Sequence, residues 1–321
     1  MTDSSPTSGP TSGPTPGLSL GQKLRYGAEA AVFFAFMALF KVIGLDKASR
    51  LGGWIGRNIF PLLPPDRVAR ANLKLAFPQM SQDEHNEIRR VMWDNLGRVV
   101  GEYPHLGRFS PKGEDPRIGY SFPPGMTPEG LMDKPLLFLS GHFANWEMMT
   151  ILAHQLGLDT SAVVRPPNNP YVAEWVARQR RINGPATLIA KHNAVRPILA
   201  QLRDRKSVCI LVDQKLREGI AVPFFGHDAM TTPAPAALAL KTGARVVIAS
   251  NRRLPGARFH VTVHDVLDFT PSGDDTEDTH ALTALITAQI EKIIREDPGQ
   301  WLWIHKRWLT ARDIELMKGR A

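Results

Sequence analysis

The chain opens on a polar stretch and then turns abruptly apolar. From Ala30 to Phe40 every side chain is apolar, and the wider run 28–45, AEAAVFFAFMALFKVIGL, is interrupted only by Glu29 and Lys41. Such a run predicts a hydrophobic anchor helix. A spanning helix takes ~20 apolar residues, so this one is marginal even with the Lys41 amine reaching back to the interface. A helix across the bilayer, a helix lying in its interface and a buried core helix all stay open. Lys47, Arg50, Arg57, Arg67, Arg70 and Lys74 follow the run, against Lys23 and Arg25 before it. An excess of cations after the helix puts the C-terminal bulk on the cytoplasmic side.

Residues 46–110 keep a helical period. Leu51, Trp54, Ile55 and Ile59 recur on one face. Ser81 and Glu84 form an S-x-x-E capping box that opens a helix carrying Ile88, Val91, Met92, Leu96 and Val99 inward. Over 111–312 the pattern alternates. Apolar runs at 135–140, 161–164, 208–212 and 245–250 predict buried strands, and the period-2 stretch 259–269 predicts another. Helical stretches lie near 145–156, 170–183, 194–204, 233–242 and 281–296, with Asn169-Pro170 as a helix start. This is α/β organisation.

Composition adds three constraints. Residues 1–20 repeat TSGP and bury too little to offset their ordering entropy, which predicts a disordered tail. The net charge of +8 and pI of 9.7 favour an anionic partner: nucleic acid, an anionic membrane surface or a phosphorylated substrate. No zinc-finger spacing, RNP motif or helix-turn-helix pattern accompanies the charge, and the basic residues are spread, so no nucleic acid is expected. Cys209 is the single cysteine. It rules out an intrachain disulfide and a Cys-rich metal site, and its VCILV context predicts burial.

The candidate chemistry starts at SGHFANWEMM, 140–149, where His142 precedes Glu147 by five residues. Ten histidines and 31 acidic residues in 321 make about one such spacing expected by chance, and His260/Asp265 has it too. Context separates them. His260 and Asp265 lie an odd number of residues apart on a strand and point to opposite faces. His142 stands at a strand-to-helix turn, where Gly141 permits close approach and the ring can fold back onto Glu147. A carboxylate on one ring nitrogen fixes the tautomer and leaves the other nitrogen as a general base. The alternative is a histidine that caps the helix beside a solvated glutamate. Two other strand ends carry polar groups: Arg165, with Asn168 just beyond it, and Asp213-Gln214. In open α/β sheets such ends hold the site. Phe224, Phe225 and Gly226 form an apolar turn suited to a lipid-sized pocket.

Taken in order, GHFANWE, VRPPNNP with AEWVARQR, VDQ with VPFFG, and WLWIHKRW resemble the lipid A late acyltransferases of the lysophospholipid acyltransferase superfamily, over residues 22–312. The resemblance implies a glycerolipid acyltransferase-like fold with a mixed central sheet flanked by helices. It implies an O-acyltransferase that moves an acyl chain from acyl carrier protein to a hydroxyl of a phosphorylated glycolipid at the inner membrane, without metal or cofactor. His142 would be the base and Glu147 its orienter. Arg165, Asn168, Asp213, Gln214, Phe224, Phe225 and Gly226 would bind substrate or the oxyanion. Trp301, Trp303, Lys306, Arg307 and Trp308 would meet anionic lipid, the tryptophans having core packing as their alternative. Two rival readings remain: acylation of a phosphatidylinositol mannoside from acyl-CoA, and a non-catalytic basic membrane binder.

Overall fold

The computed structural model describes residues 18–131 and 133–308. The tail expected over 1–20 lies outside them except for its last three residues. A long helix, α1 (Leu20–Ile43), begins at Ser19, whose hydroxyl accepts from Gln22 N–H while the Gln22 side chain accepts from Ser19 N–H. It is followed by α2 (Leu45–Asn58), α3 (Pro65–Ala76) and α4 (Gln82–Glu102), the last opened by the expected Ser81–Glu84 box. A 3-10 segment, Tyr103–Arg108, leads to β1 (Ile118–Ser121), α5 (Pro128–Leu131) and β2 (Leu136–Ser140). The chain then alternates through α6 (Glu147–Gln155), β3 (Thr160–Val164), α7 (Pro170–Ile182), β4 (Thr187–Ala190), α8 (Val195–Arg203) and β5 (Ser207–Leu211). A hairpin of β6 (Ile220–Phe224) and β7 (His227–Thr231) precedes α9 (Ala234–Thr242), β8 (Arg245–Leu254), β9 (Arg258–Leu267) and α10 (Asp275–Glu296).

Seven strands form one mixed sheet in the order β1-β9-β8-β2-β5-β3-β4, with β6-β7 as a separate ribbon. Every neighbouring pair in the large sheet is parallel except β8/β9. The all-buried β2, LLFLS, sits between β5 and β8, as a continuous apolar run should in a sheet covered on both faces.

The helical region 46–110 is packed into this unit. Helices α2 and α4 meet backbone to backbone: a Cβ on Gly52 would lie 2.2 Å from Gly97 O, and one on Gly97 2.1 Å from Gly52 O. From the end of α4, Glu102 pairs with Arg253 on β8, and Asn95 Oδ1 accepts from Arg253 Nε at 2.7 Å. Asn72 on α3 donates to the carbonyl of Trp303 at 2.7 Å. These bonds fix the helical layer against the edge of the sheet where the polar strand ends converge.

Candidate active site

The register of β2 and β5 builds the site. Ser140 is the partner of Leu211, and Val212 N–H donates to Ser140 O at 2.9 Å. Two residues beyond each paired position stand His142 and Asp213. The Asp213 carboxylate takes three donors: His142 N–H on Oδ2 at 2.7 Å, Trp301 Nε1–H on Oδ2 at 2.7 Å, and His142 Nδ1 on Oδ1 at 2.8 Å. Gly141 is required for this approach, because a Cβ there would lie 3.2 Å from Asp213 Oδ2 and 2.9 Å from the Phe143 ring. Burial raises the Asp213 pKa, but His142 and the donated hydrogen bonds outweigh it and hold the group far below the usual carboxylate range. An ionised Asp213 accepting from Nδ1 leaves Nε2 as the lone-pair nitrogen.

The expected His142–Glu147 contact is not formed. Glu147 opens α6, but its carboxylate turns inward and accepts from Arg180 Nε and Nη2 at 3.0 and 2.7 Å, Tyr103 Oη at 2.6 Å and Trp146 Nε1 at 3.1 Å. Burial opposes its ionisation, yet Arg180 and the other donors hold its pKa below the usual value. Its link to the histidine is indirect: the Trp146 ring stands edge-on to His142, with centroids 5.2 Å apart. The fold places the carboxylate from the neighbouring strand closer than the one five residues along.

Beyond Nε2 lies a second polar layer. Gln214 Nε2 sits 3.3 Å from His142 Nε2 and 3.0 Å from His305 Nε2, so one amide donates to both rings. The two imidazole centroids are 5.4 Å apart. Burial, reinforced by His142, pushes His305 down to about 4, with the Lys191 and Arg165 charges acting the same way. Lys191 Nζ reaches Gln214 Oε1 at 3.5 Å. Arg165 and Lys191 are exposed, so the mouth of the site is cationic. His305, Arg180 and Trp146 were not singled out from sequence as site residues, although each lies inside a quoted block: WLWIHKRW, AEWVARQR and GHFANWE.

Other expected positions fall elsewhere. Asn168 is exposed, while its neighbour Asn169 is buried and accepts from Tyr171 N–H as the cap of α7. Phe224 and Phe225 are buried at the β6-β7 turn against Trp301, Trp303 and Trp308; Gly226, exposed at a φ of 74°, completes that turn. Trp301, Trp303, Arg307 and Trp308 are also buried, which corrects the expectation of a lipid-facing segment; Lys306 alone of that set is exposed. The segment is instead a staple. Ala144 N–H donates to Gln300 O at 2.7 Å, and Leu302 N–H to His142 O at 3.1 Å. That pairing holds the loop with Ala144 at a φ of 43°, a left-handed conformation that needs such support.

A model of the family described as bacterial lipid A biosynthesis acyltransferase matches residues 20–310. The chain belongs to that family. The acyltransferase is 27% identical over 271 residues to the lipid A biosynthesis palmitoleoyltransferase of Escherichia coli K12, covering 81% of this chain and 84% of that one. It is also 27% identical over 175 residues to the phosphatidylinositol mannoside acyltransferase of Mycolicibacterium smegmatis, covering 53% and 55%. Among solved structures, the 1-acyl-sn-glycerophosphate acyltransferase PlsC of Thermotoga maritima aligns with 82% of the chain and 99% of its own, at 11% identity and a TM-score of 0.37.

Proposed function

We propose that the enzyme transfers a fatty acyl group from acyl carrier protein to a hydroxyl of a phosphorylated lipid A precursor, at the cytoplasmic face of the inner membrane. The observation that carries this is the Asp213–His142 pair, whose Nε2 lone pair, met at rest by the Gln214 amide, faces a cationic mouth. His142 Nε2 takes the proton of the acceptor hydroxyl as its oxygen attacks the thioester carbonyl. Asp213 holds the tautomer and stabilises the imidazolium as it forms. Collapse of the tetrahedral intermediate expels the thiolate, which takes the proton back from His142. The Gln214 amide, bonded to Nε2 at rest, marks where the hydroxyl sits. Once displaced, it is a donor for the oxyanion, held in place by His305; Arg165 is a second.

Glu147 is assigned a positioning role through Trp146 and Arg180. Arg165 and Lys191 suit acceptor phosphates or an acidic carrier. The apolar cavity between α6 and the sheet, lined by Leu131, Phe138, Met149, Ala153, Cys209 and Val263 among others, holds only about 30 Å³, too little for an acyl chain; burial pushes the Cys209 thiol up to about 12, so it acts there as an apolar group.

The test is acyl transfer by purified enzyme with labelled acyl carrier protein or acyl-CoA as donor. Acceptors are a lipid A precursor and a phosphatidylinositol mannoside. Transfer from acyl carrier protein to the lipid A precursor is expected. Preference for acyl-CoA and the mannoside would support the second reading, which the Mycolicibacterium smegmatis relative favours. Salt-sensitive lipid binding without turnover would leave a basic membrane binder.

A further inference from the structure

Helix α1 is long and apolar enough to cross a bilayer, with a mean hydropathy of 1.6 over its best 18-residue window. Its packing argues for a different placement. One face is bound to the catalytic unit at both ends and in the middle. Near the N-terminus, Asn169 Nδ2 donates to Tyr26 O at 2.8 Å. In the middle, the Phe33 and Phe34 rings meet Trp175 on α7, with centroids 5.4 and 6.3 Å away. Near the C-terminus, Lys41 Nζ donates to Pro104 O at 2.9 Å and His105 Nε2 to Phe40 O at 2.9 Å. From Tyr26 to Lys41 these contacts cover about 22 Å of axis at the helical rise.

The opposite face is apolar and exposed along its length. Leu20, Leu24, Val32, Phe36, Leu39 and Val42 are 74, 67, 60, 49, 46 and 85% exposed. They recur at helical spacing on the side away from Ala30, Met37 and Phe40, which are buried. The only acidic residue in the helix, Glu29, is paired with Arg25 at 2.9 Å. Exposed cations stand near both ends of the stripe: Lys23 and Arg25 on either side of Leu24, Lys47 and Arg50 beyond Val42.

A spanning α1 would drag its packed partners into the ~30 Å hydrocarbon core. Helix α7 carries Glu174 and Arg178, whose side chains are 77 and 71% exposed. Immersing those charges is costly. Lying flat, the same helix puts its apolar stripe into one leaflet and its flanking cations among anionic headgroups.

We propose that α1 is a monotopic anchor that lies in the plane of one leaflet of an anionic bilayer, docked on the catalytic unit, and does not cross the membrane. The inference rests on the reading of a membrane-resident acceptor. Its consequence is geometric: Asn169 clamps α1 and also caps α7, and α7 carries the Arg180 that holds Glu147. The anchor and the site loop therefore form one rigid piece, and the site is held at a fixed height over the lipid surface.

Two measurements on the full chain test it. Gly21 has open space where a Cβ would go, and the native Cys209 is buried, so Gly21→Cys gives a single reactive thiol. A membrane-impermeant maleimide should leave Gly21→Cys unlabelled in intact cells with a permeable outer membrane, and label it once the inner membrane is opened. Exposed Glu129→Cys serves as the cytoplasmic control. Labelling of Gly21→Cys in intact cells overturns the proposal, because the helix then spans.

In the second measurement, purified protein should float with phosphatidylglycerol-containing vesicles. Phe36→Asp/Leu39→Asp should lower the bound fraction by about tenfold or more, since two apolar side chains lose their burial in lipid. Equal flotation of the double variant overturns the proposal, as does concentration-dependent dimerisation that the double variant abolishes, which would assign the stripe to a second copy. Acyl transfer to acceptor in detergent micelles, assayed alongside, reports the reaction itself. Absent turnover with the expected labelling would remove the functional reading and leave the anchor.

Discussion

Asp213 accepts both the backbone N–H and the ring Nδ1 of His142, 71 residues away in sequence, because each residue stands two positions past a register pair of adjacent parallel strands. Two hydrogen bonds from one carboxylate fix both the place of the loop and the tautomer of the ring. Asp213→Asn is therefore expected to lower kcat by about 10²–10⁴, because its amide can donate to Nδ1 and turn the ring to the wrong tautomer. The check is the acyl-transfer rate of protein with unchanged circular dichroism. A loss smaller than that of Glu147→Gln would reassign the orienting role.

Glu147 and Arg180 make a different prediction, because they are buried together, with side-chain exposures of 6 and 15%. Arg180→Met leaves a buried, unpaired carboxylate and should cost about 3–5 kcal/mol of stability. Glu147→Gln/Arg180→Met should recover part of that loss, since neither charge remains. Denaturant midpoints of the two variants, read beside kcat per folded molecule, separate the structural effect from the positioning one.

The placement of β2, β3, β5, β8 and β9 and of most helices was legible from periodicity, and so was the strand-end position of His142, whereas the four-residue β1 and β4 were too short to show a period. The wrong partner was chosen because Glu147 is near in sequence, whereas the register of β2 against β5 is a long-range property that no local pattern carries. The tryptophans of 301–308 illustrate the same limit. An aromatic beside a cation suits a lipid interface or a core, and the deciding contact, Trp301 Nε1 on Asp213, spans 88 residues. The start of α1 was placed eight residues late because Ser19 and Gln22 form a cap ahead of the apolar run, among polar residues. Strands β6 and β7 are short; the apolar first holds Pro223 and the second, HDAMT, is mostly polar, so neither gave an alternating signal.

His305 gives a pH-dependent signature. Its pKa falls from 6.5 to about 4 on folding. Between those values the unfolded chain binds the extra proton, so the His305 contribution is present above pH 6.5 and is lost as pH falls toward 4. His305→Gln should flatten that part of the stability profile, with His105 and His264 unchanged in both proteins. It should also lower kcat through Gln214, which loses one of its three partners. Parallel profiles for the two proteins would show that His305 titrates normally.

The cationic mouth is expected to act on acceptor binding. Arg165→Lys keeps the charge but loses the two-pronged geometry, and should raise KM for the acceptor more than it lowers kcat. A steeper dependence of KM on ionic strength for the wild type than for Arg165→Ala would accompany it. Unchanged kinetics in both variants would make Arg165 a surface residue.

The central claim is that His142 is the general base of an acyl transfer. The most direct measurement is transfer of a labelled acyl chain to acceptor by folded His142→Ala, with His260→Ala as control, since His260 bonds Ser121 at 3.0 Å away from the site. The rate of His142→Ala should fall by at least about 10²-fold, while that of His260→Ala stays near wild type. Retained turnover in His142→Ala of native circular dichroism would contradict the mechanism.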